Sequence, residues 1–272
     1  MKSLLTCLLL LATPLSADSI TLASTTSTQN SGLYDYLIPL FTKDTGIEVK
    51  VIAVGTGQAL RIARNGDADV LMVHHRPSED AFMAQGYGSV RFDVMYNDFV
   101  LVGPQMPQKP KSLTRFLQIM AQDQTHLFIS RGDDSGTHKK ERELWAQALD
   151  TPPSGTWYRE IGAGMGAALN MAASENAYTL SDRGTWLSFG NKGDLAIRWA
   201  GDPDLRNPYG LILVNPDRFP HINAQAAAEF AKWITAPRAQ AAIEAFRIEG
   251  MQLFCPHTPV NATQSAKTCP AQ

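Results

Sequence analysis

The sequence predicts an α/β protein with two lobes, each a mainly parallel sheet flanked by helices with a ligand cleft between them. Short apolar segments typical of buried strands alternate with segments whose apolar residues recur at helical spacing. Several of these strands run into loops that are rich in glycine and hydroxyl residues and precede a helix. The chain has 272 residues, of which 44% are hydrophobic and 18% charged, so it is long and apolar enough for two cores.

The first part of the chain has the alternation that parallel strands with helical crossovers require. Strands are predicted at residues 19–23, 48–53 and 69–73, and helices at residues 31–43 and around residues 59–63. The third strand is almost entirely apolar, which is typical of a strand buried on both faces of a parallel sheet.

The rest of the chain continues the pattern with longer helices. Residues 92–103 are predicted as two extended segments that break at Asn97 and Asp98. Later strands are predicted at residues 127–130, 177–180 and 209–214. Helices are predicted at residues 112–122, from the loop at residues 131–134 to about residue 149, from residue 166 to 174, at 224–235 and at 238–246.

Two crossings between the lobes fit this order of elements. The chain is expected to leave the first lobe near residues 98–103 and to return near residues 207–214. Lobe 1 would then comprise residues 18–99 and 208–272, and lobe 2 would comprise residues 100–207. In open α/β sheets ligands bind at the carboxyl ends of the strands, where the following helices begin.

Residues 1–17 have the pattern of a secretory signal peptide. Lys2 precedes an apolar run at residues 4–12, which is too short to span a bilayer. Export into an oxidising compartment predicts a disulfide between Cys255 and Cys269, and the alternative is a pair of free thiols.

The charge balance excludes two classes of partner. Lys and Arg number 24 against 26 Asp and Glu, which gives a formal net charge of −2. A chain without a basic excess is not expected to hold a nucleic-acid backbone or an anionic membrane surface.

Four strand-to-helix loops are rich in hydroxyls or glycines, and we expect them to be short of acids that would touch a ligand. Each offers backbone N–H groups at a helix start, where the peptide dipoles favour negative charge. Arg131 adds one planar, charged donor. If the loops converge, they form a site for a small, multiply charged oxyanion. They are residues 24–28 (STTST), 55–57 (GTG), 130–137 (SRGDDSGT) and 164–166 (GMG).

Other functions were weighed against this one. A single hydroxyl-rich loop is more often an ordinary helix cap, and the glycines at residues 162–166 lack the spacing of a dinucleotide site. A remote alternative is a secreted serine hydrolase in which Ser135 is the nucleophile, with His74 or His75 and Asp98 upstream. The histidines have no metal-ligand spacing, so no metal site is predicted.

The same loops resemble the periplasmic tungstate-binding proteins of ABC uptake systems. The resemblance runs in order over most of the chain up to about residue 253. It implies a type II periplasmic-binding fold, a periplasmic location, and a membrane permease and an ATPase as partners. The matching stretches are residues 25–28 (TTST), 31–33 (SGL), 54–60 (VGTGQAL), 66–71 (GDADVL), 96–99 (YNDF), 130–138 (SRGDDSGTH) and 178–186 (YTLSDRGTW).

The resemblance also implies which residues contact the ligand. It implies tungstate, no cofactor and no enzyme activity, and a monomer is expected. Molybdate, sulfate and phosphate are alternative ligands on the same scaffold. Arg131 would supply the one full positive charge, and the other ligand-binding residues would be Thr25, Thr26, Ser27, Thr56, Ser135, Gly136, Thr137, Met165 and Gly166.

Overall fold

Strands and helices alternate along the described chain, which comprises residues 18–106 and 110–257 of a computed structural model. Strands β1–β12 lie at Ser19–Thr25, Glu48–Val54, Val70–Val73, Gly88–Gly103, Phe128–Ser130, Tyr158–Glu160, Thr179–Asp182, Ala196–Trp199, Arg206–Val214, Arg247–Ile248, Met251–Gln252 and Cys255–Pro256. Helices α1–α10 lie at Thr26–Asn30, Leu33–Thr45, Thr56–Asn65, Arg76–Ala84, Leu113–Asp123, Gly136–Ala148, Met165–Glu175, Arg183–Ser188, Ala224–Thr235 and Pro237–Ala245.

The α/β class is confirmed, but the main sheet is mixed rather than mainly parallel. Its strand order is β12–β4–β9–β3–β1–β2, and β7 and β8 also pair with β4. Strand β1 runs parallel to β2 and β3, as helical crossovers require. Strand β9 runs antiparallel to both β3 and β4. The difference arises because β9 joins the sheet on the way back from the second lobe, a pairing that no local pattern encodes.

Strand β4 is continuous, so the predicted break at Asn97 and Asp98 is wrong. Its first part pairs with β9 from Gly88 to Asp98, and its last residues pair with β7 and β8. Both polar side chains are buried and have partners. Asn97 Oδ1 accepts a hydrogen bond from Asn207 Nδ2 at 2.7 Å, and Asp98 accepts from Arg183 Nε at 2.6 Å. Polar residues can therefore occupy a buried strand here because the return strand and α8 satisfy them.

Separate apolar clusters support the two ends of the described structure. Around β1–β3 and β9, which we call the first lobe, Phe41 packs edge-on against Phe230 and Trp233 with ring centroids 5.0 and 5.4 Å away. Around β5–β8, the second lobe, Trp145 packs against Phe128 with centroids 5.2 Å apart. The boundaries at residues 99 and 208 remain a prediction.

Hydrophobic periodicity finds the long helices and misses the short ones. Helices α1 and α8 have 5 and 6 residues, so each is too short to repeat an apolar face clearly. Helix α4, with 9 residues, is also absent from the predicted helices. Helix α8 is fixed instead by its cap, because Asp182 Oδ1 accepts a hydrogen bond from Thr185 N at 2.8 Å. The strand expected at residues 177–180 begins two residues later, at Thr179.

Two predictions at the chain ends fall partly outside the described residues. The signal peptide at residues 1–17 and Cys269 lie there, so both the leader and the disulfide stay predictions. Cys255 is buried in β12, opposite Tyr96 of β4. Among the helices that the structure describes, none combines the length and apolarity needed to cross a membrane.

Candidate functional site

A cleft of about 410 Å³ lies where β1, β2, β3 and β5 end. The first lobe contributes the starts of α1 and α3, and the second lobe contributes the loop from β5 into α6. This is the position expected for a ligand in an open α/β sheet. The structure brings eight of the ten predicted ligand-binding residues into this lining, namely Thr25, Thr26, Ser27, Thr56, Arg131, Ser135, Gly136 and Thr137.

Met165 and Gly166 are not in the lining of this cleft. Met165 begins α7, and its side chain is buried in an apolar cluster with Ile129 and Leu169. Gly166 is exposed in the first turn of the same helix. Met165 therefore contributes to the packing of the second lobe in this structure.

The hydroxyl run after β1 divides into structural and cleft-facing residues. Ser24 is fully buried, and its Oγ bonds to Tyr34 Oη and donates to the Met72 carbonyl at 2.7 Å. Thr28 is also fully buried and lies 2.8 Å from Thr25, Oγ1 to Oγ1. The hydroxyls between these two buried anchors face the cleft, which explains why the run is longer than one helix cap requires.

The start of α3 carries an unsatisfied donor. Its N-cap residue, Gly55, has no side chain with which to cap the helix. Thr56 is only 1% exposed, and its Oγ1 has no hydrogen-bond partner among the described residues. Because buried hydroxyls are nearly always paired, the Thr56 hydroxyl is an exception among the cleft-lining groups that the structure describes.

Arg131 is held in place by the loop that it begins. Its Nε and Nη2 donate to Asp133 Oδ2 at 3.1 and 2.5 Å. Burial raises the pKa of Asp133, but its hydrogen bonds with Ser135 and the charge of Arg131 outweigh burial and lower it overall. Asp133 thus stays ionised and fixes one edge of the guanidinium. The other edge, Nη1, makes no hydrogen bond within the described chain, which leaves it able to meet an anion.

The start of α6 faces the cleft from the second lobe. Ser135 Oγ accepts a hydrogen bond from His138 N at 3.3 Å and so caps the helix. Gly136 lies directly against the first lobe, since a methyl group added to it would be 2.6 Å from His74 Cε1. The two lobes therefore touch at this point, on one side of the cleft.

Charged residues contribute more to the lining than the sequence indicated. Asp133 and Asp134 both line the cleft, and Asp133 is paired with Arg131, so the expectation that few acids touch the ligand stays a prediction. Arg61 also lines it, held by its hydrogen bond to Gln58 Oε1 at 2.7 Å. The lining thus contains two guanidinium groups and two carboxylates.

His74 is a cleft residue that the predicted ligand-binding set does not include. It follows β3 directly and lines the cleft. Its Nδ1 lies 3.0 Å from Asn207 Oδ1, and its Nε2 lies 3.5 Å from Ser27 Oγ. The rule that ligands bind where strands end was the available signal, since His74 is the first residue after a buried strand.

The residues considered for a hydrolase do not assemble as a triad. Ser135 Oγ caps α6, Asp98 is paired with Arg183, and His74 bonds to Asn207 rather than to either of them. A serine nucleophile requires a base within hydrogen-bond reach. Within residues 18–106 and 110–257, no group of three or more His, Cys, Asp or Glu residues is arranged to hold a metal ion.

Comparison with protein families gives one match over most of the chain. The PBP superfamily domain matches residues 12–238. This span includes the four elements whose ends form the cleft and both strands that connect the lobes.

Individual relatives are similar over nearly the whole chain. The tungstate-binding protein TupA of Peptoclostridium acidaminophilum is 50% identical over 247 residues, covering 88% of this chain and 86% of that protein. The solved tungstate-binding protein TupA of Desulfovibrio alaskensis G20 is 41% identical with a TM-score of 0.81, covering 89% of this chain and 100% of that one. The solved structure described as the tungstate ABC transporter from Geobacter sulfurreducens is 46% identical with a TM-score of 0.75, covering 84% and 98%.

Proposed function

The chain belongs to the PBP superfamily and, within it, to the family of TupA tungstate-binding proteins, and we propose that it captures tungstate as the substrate-binding receptor of an ABC importer. Relatives at 41% and 50% identity are described as tungstate-binding proteins over almost their full length. A likeness this extensive covers both lobes and the cleft between them.

The observation that carries the proposal is the set of unused donors around one cleft between the lobes. The Thr56 hydroxyl is buried without a partner, and one edge of the Arg131 guanidinium is free among the described residues. The first turns of α3 and α6 add backbone N–H groups at their positive ends. Hydrogen-bond donors that lack acceptors suit an oxyanion, because each oxygen of an oxyanion accepts hydrogen bonds.

Binding in this site needs no bond-making. A tetrahedral dianion enters while the lobes are apart, and the fixed donors replace its hydration shell as they close. The exchange favours binding only when nearly every ligand oxygen is satisfied, because an unpaired buried charge is costly. We propose the eight lining residues as the ligand contacts, with Arg131 as the charged one, and assign no catalytic role to any of them.

The transport context supplies the partners and the compartment. We propose that residues 1–17 direct export to the periplasm and that Cys255 and Cys269 form a disulfide there. A membrane permease then recognises the closed form of a monomeric receptor, and an ATPase drives release. The ligand shifts the equilibrium from the open to the closed form, because it binds the closed form more tightly.

The test is a calorimetric titration of the purified protein with tungstate, molybdate, sulfate and phosphate. We expect tungstate to bind and to raise the unfolding temperature, since a ligand that binds only the native state stabilises it. Replacing Arg131→Ala removes a charged hydrogen bond of about 1.5–3 kcal/mol, which weakens binding about 10- to 100-fold.

Arg142→Ala is the matched control, because Arg142 is exposed and lies outside the cleft lining. Its affinity for tungstate should equal that of the unsubstituted protein. If none of the four anions binds, or if Arg131→Ala binds tungstate as tightly as Arg142→Ala, the proposed function is wrong.

A further inference from the structure

A buried histidine lines the cleft and contacts both lobes. His74 follows β3, and its ring packs on Tyr209 of β9 with centroids 4.8 Å apart. Its Cε1 lies against Gly136 at the start of α6. The ring is thus enclosed by three elements while one of its nitrogens faces Ser27 in the cleft.

A chain of two amides determines which ring nitrogen carries the proton. Asn207 Nδ2 donates to Asn97 Oδ1 at 2.7 Å, so Asn207 turns its Oδ1 towards the ring. His74 Nδ1 lies 3.0 Å from that oxygen and must therefore be the donor. In a neutral imidazole with Nδ1 protonated, Nε2 has no hydrogen and can only accept.

The surroundings keep the ring neutral while the cleft holds no anion. Burial lowers the pKa of His74 to about 4, which is the dominant influence on it. Asn207 and Asp182 act to raise the pKa, whereas His75 and Arg131 act to lower it. The residues of α1 and α6 that contact the ring, Ser27 and Gly136, do not titrate. At neutral pH, Nε2 therefore presents a lone pair to the cleft.

This lone pair conflicts with anion binding through Ser27. The Ser27 hydroxyl has one hydrogen, and its Oγ lies 3.5 Å from His74 Nε2. If the hydrogen is donated to an anion oxygen, the Ser27 lone pairs face the bare nitrogen. A proton on Nε2 removes the conflict, because Nε2–H then donates to Ser27 Oγ. It also adds a positive charge beside the dianion, where exclusion of water strengthens the attraction.

We propose that His74 is a positioning residue that takes up one proton from solvent on Nε2 when the site captures a fully deprotonated dianion. The inference rests on the proposed function, because it requires the anion to bind in this cleft. The receptor would then bind two ligands together, the anion and a proton. The proton would be held by His74 of the first lobe, which the second lobe covers at Gly136. Anion release would return the proton to solvent.

Calorimetry on the full protein measures the proton directly. Tungstate is titrated at neutral pH in buffers that differ in ionisation enthalpy, and the dependence of the observed heat on that enthalpy gives the protons taken up. We expect about one proton per bound anion for the unsubstituted protein. His74→Gln, which cannot be protonated, is expected to bind more weakly and to take up none.

His75→Gln is the matched control, since His75 is the adjacent histidine and pairs with Glu143 across the lobes. It should keep the full proton uptake. Binding without proton uptake in the unsubstituted protein, or loss of uptake in His75→Gln instead of His74→Gln, would overturn the inference while leaving the proposed function intact. Absence of tungstate binding would contradict the proposed function and the inference together.

A second measurement does not depend on the folding of any variant. Nitrogen NMR of the histidine rings in the unsubstituted protein distinguishes a bare ring nitrogen from a protonated one. We expect the Nε2 signal of His74 to change from the bare to the protonated type when tungstate is added. A signal that stays bare at saturation would exclude the proton transfer.

Discussion

At the scale of single residues, the cleft contains groups whose hydrogen bonding is incomplete without a ligand. Thr56 is the sharpest case, because its hydroxyl is buried at the start of α3 and has no partner among the described residues. Burying a hydroxyl without a hydrogen-bond partner destabilises the folded state and so lowers the free energy of unfolding. An anion oxygen that accepts a hydrogen bond from Thr56 would remove this destabilisation.

Replacing Thr56→Val should therefore affect stability and binding in opposite directions. Without anion, we expect the free energy of unfolding to stay equal or to rise by about 1 kcal/mol, because an unsatisfied hydroxyl is removed at nearly constant shape. Affinity for tungstate should fall about tenfold, because a hydrogen bond to a charged ligand is lost. Urea unfolding and calorimetry measure the two effects.

Thr28→Val is the control for this substitution. Its hydroxyl is equally buried but is bonded to Thr25, so its removal should destabilise the protein. Equal destabilisation by both substitutions would mean that the Thr56 hydroxyl has a partner in solution.

The sequence could predict those site residues whose neighbours in the chain define them. The hydroxyl run after β1 and Arg131 after β5 both follow apolar strands, so the strand-end rule locates them. The structural role of His74 depends on Asn207, which is 133 residues away in the chain. The role of Asp133 depends on a side-chain direction that no periodicity encodes.

At the scale of secondary structure elements, the starts of α3 and α6 meet from opposite lobes. Gly57 lies one residue into α3, and a methyl group there would be in ordinary contact at 3.5 Å from Asp134 Oδ2. Gly136 opens α6, and a methyl group there would be 2.6 Å from His74 Cε1. The two glycines look alike in the sequence but differ in the space around them.

Gly136→Ala is expected to keep the lobes from closing fully. A 2.6 Å approach is too short for two carbon atoms, and the ring is held by its contact with Tyr209 and its hydrogen bond to Asn207. We expect tungstate affinity to fall about 10-fold or more, since the closed form then costs more than about 1.4 kcal/mol extra. Calorimetry gives the affinity, and circular dichroism checks that the helices remain.

Gly57→Ala provides the comparison at the equivalent helix position in the first lobe. Its methyl group has room, so affinity should change little. If Gly57→Ala weakens binding as much as Gly136→Ala, then loss of glycine itself, rather than contact between lobes, accounts for the effect.

Element prediction succeeded where packing is local and failed where it is not. Helices such as α5 and α9 bury a regular apolar face, which the sequence displays directly. Strand β4 was divided at two polar residues because their partners, Asn207 and Arg183, lie far along the chain. The short helix α8 depends on one cap rather than on an apolar face.

At the scale of the whole molecule, stability depends on pH through a carboxyl buried in the second lobe. Glu141 of α6 is 2% exposed and accepts a hydrogen bond from Tyr158 Oη at 2.7 Å. Burial raises its pKa from 4.5 to about 7. Between these values the folded state holds a proton that the unfolded state has released. The contribution of Glu141 to stability is therefore complete below pH 4.5 and is lost as pH rises through about 7.

Glu141→Gln should remove this pH dependence. Its amide oxygen keeps the bond from Tyr158, and its N–H groups can meet the neighbouring Ser130 hydroxyl. Above pH 7 we expect the variant to be more stable than the unsubstituted protein by up to about 3 kcal/mol, and the gain should vanish near pH 4.5. Urea unfolding across this pH range measures it.

Glu143→Gln on the same helix is the contrasting control. The hydrogen bond to His75 is the largest influence that lowers the pKa of Glu143 to about 2, so its contribution has the opposite sign. That contribution is present above pH 4.5 and is lost as pH falls towards 2. A gain in stability at high pH for Glu143→Gln as large as for Glu141→Gln would contradict the assignment to the buried carboxyl.

Strand β4 has a consequence for anyone who tries to obtain the lobes as separate fragments. Its sixteen residues pair with β9 at one end and with β7 and β8 at the other. A gene truncated between the lobes would cut this strand and strip main-chain donors and acceptors from both halves, leaving open sheet edges that invite aggregation. The halves should therefore be recoverable in soluble form only when they are produced together, as complementing pieces.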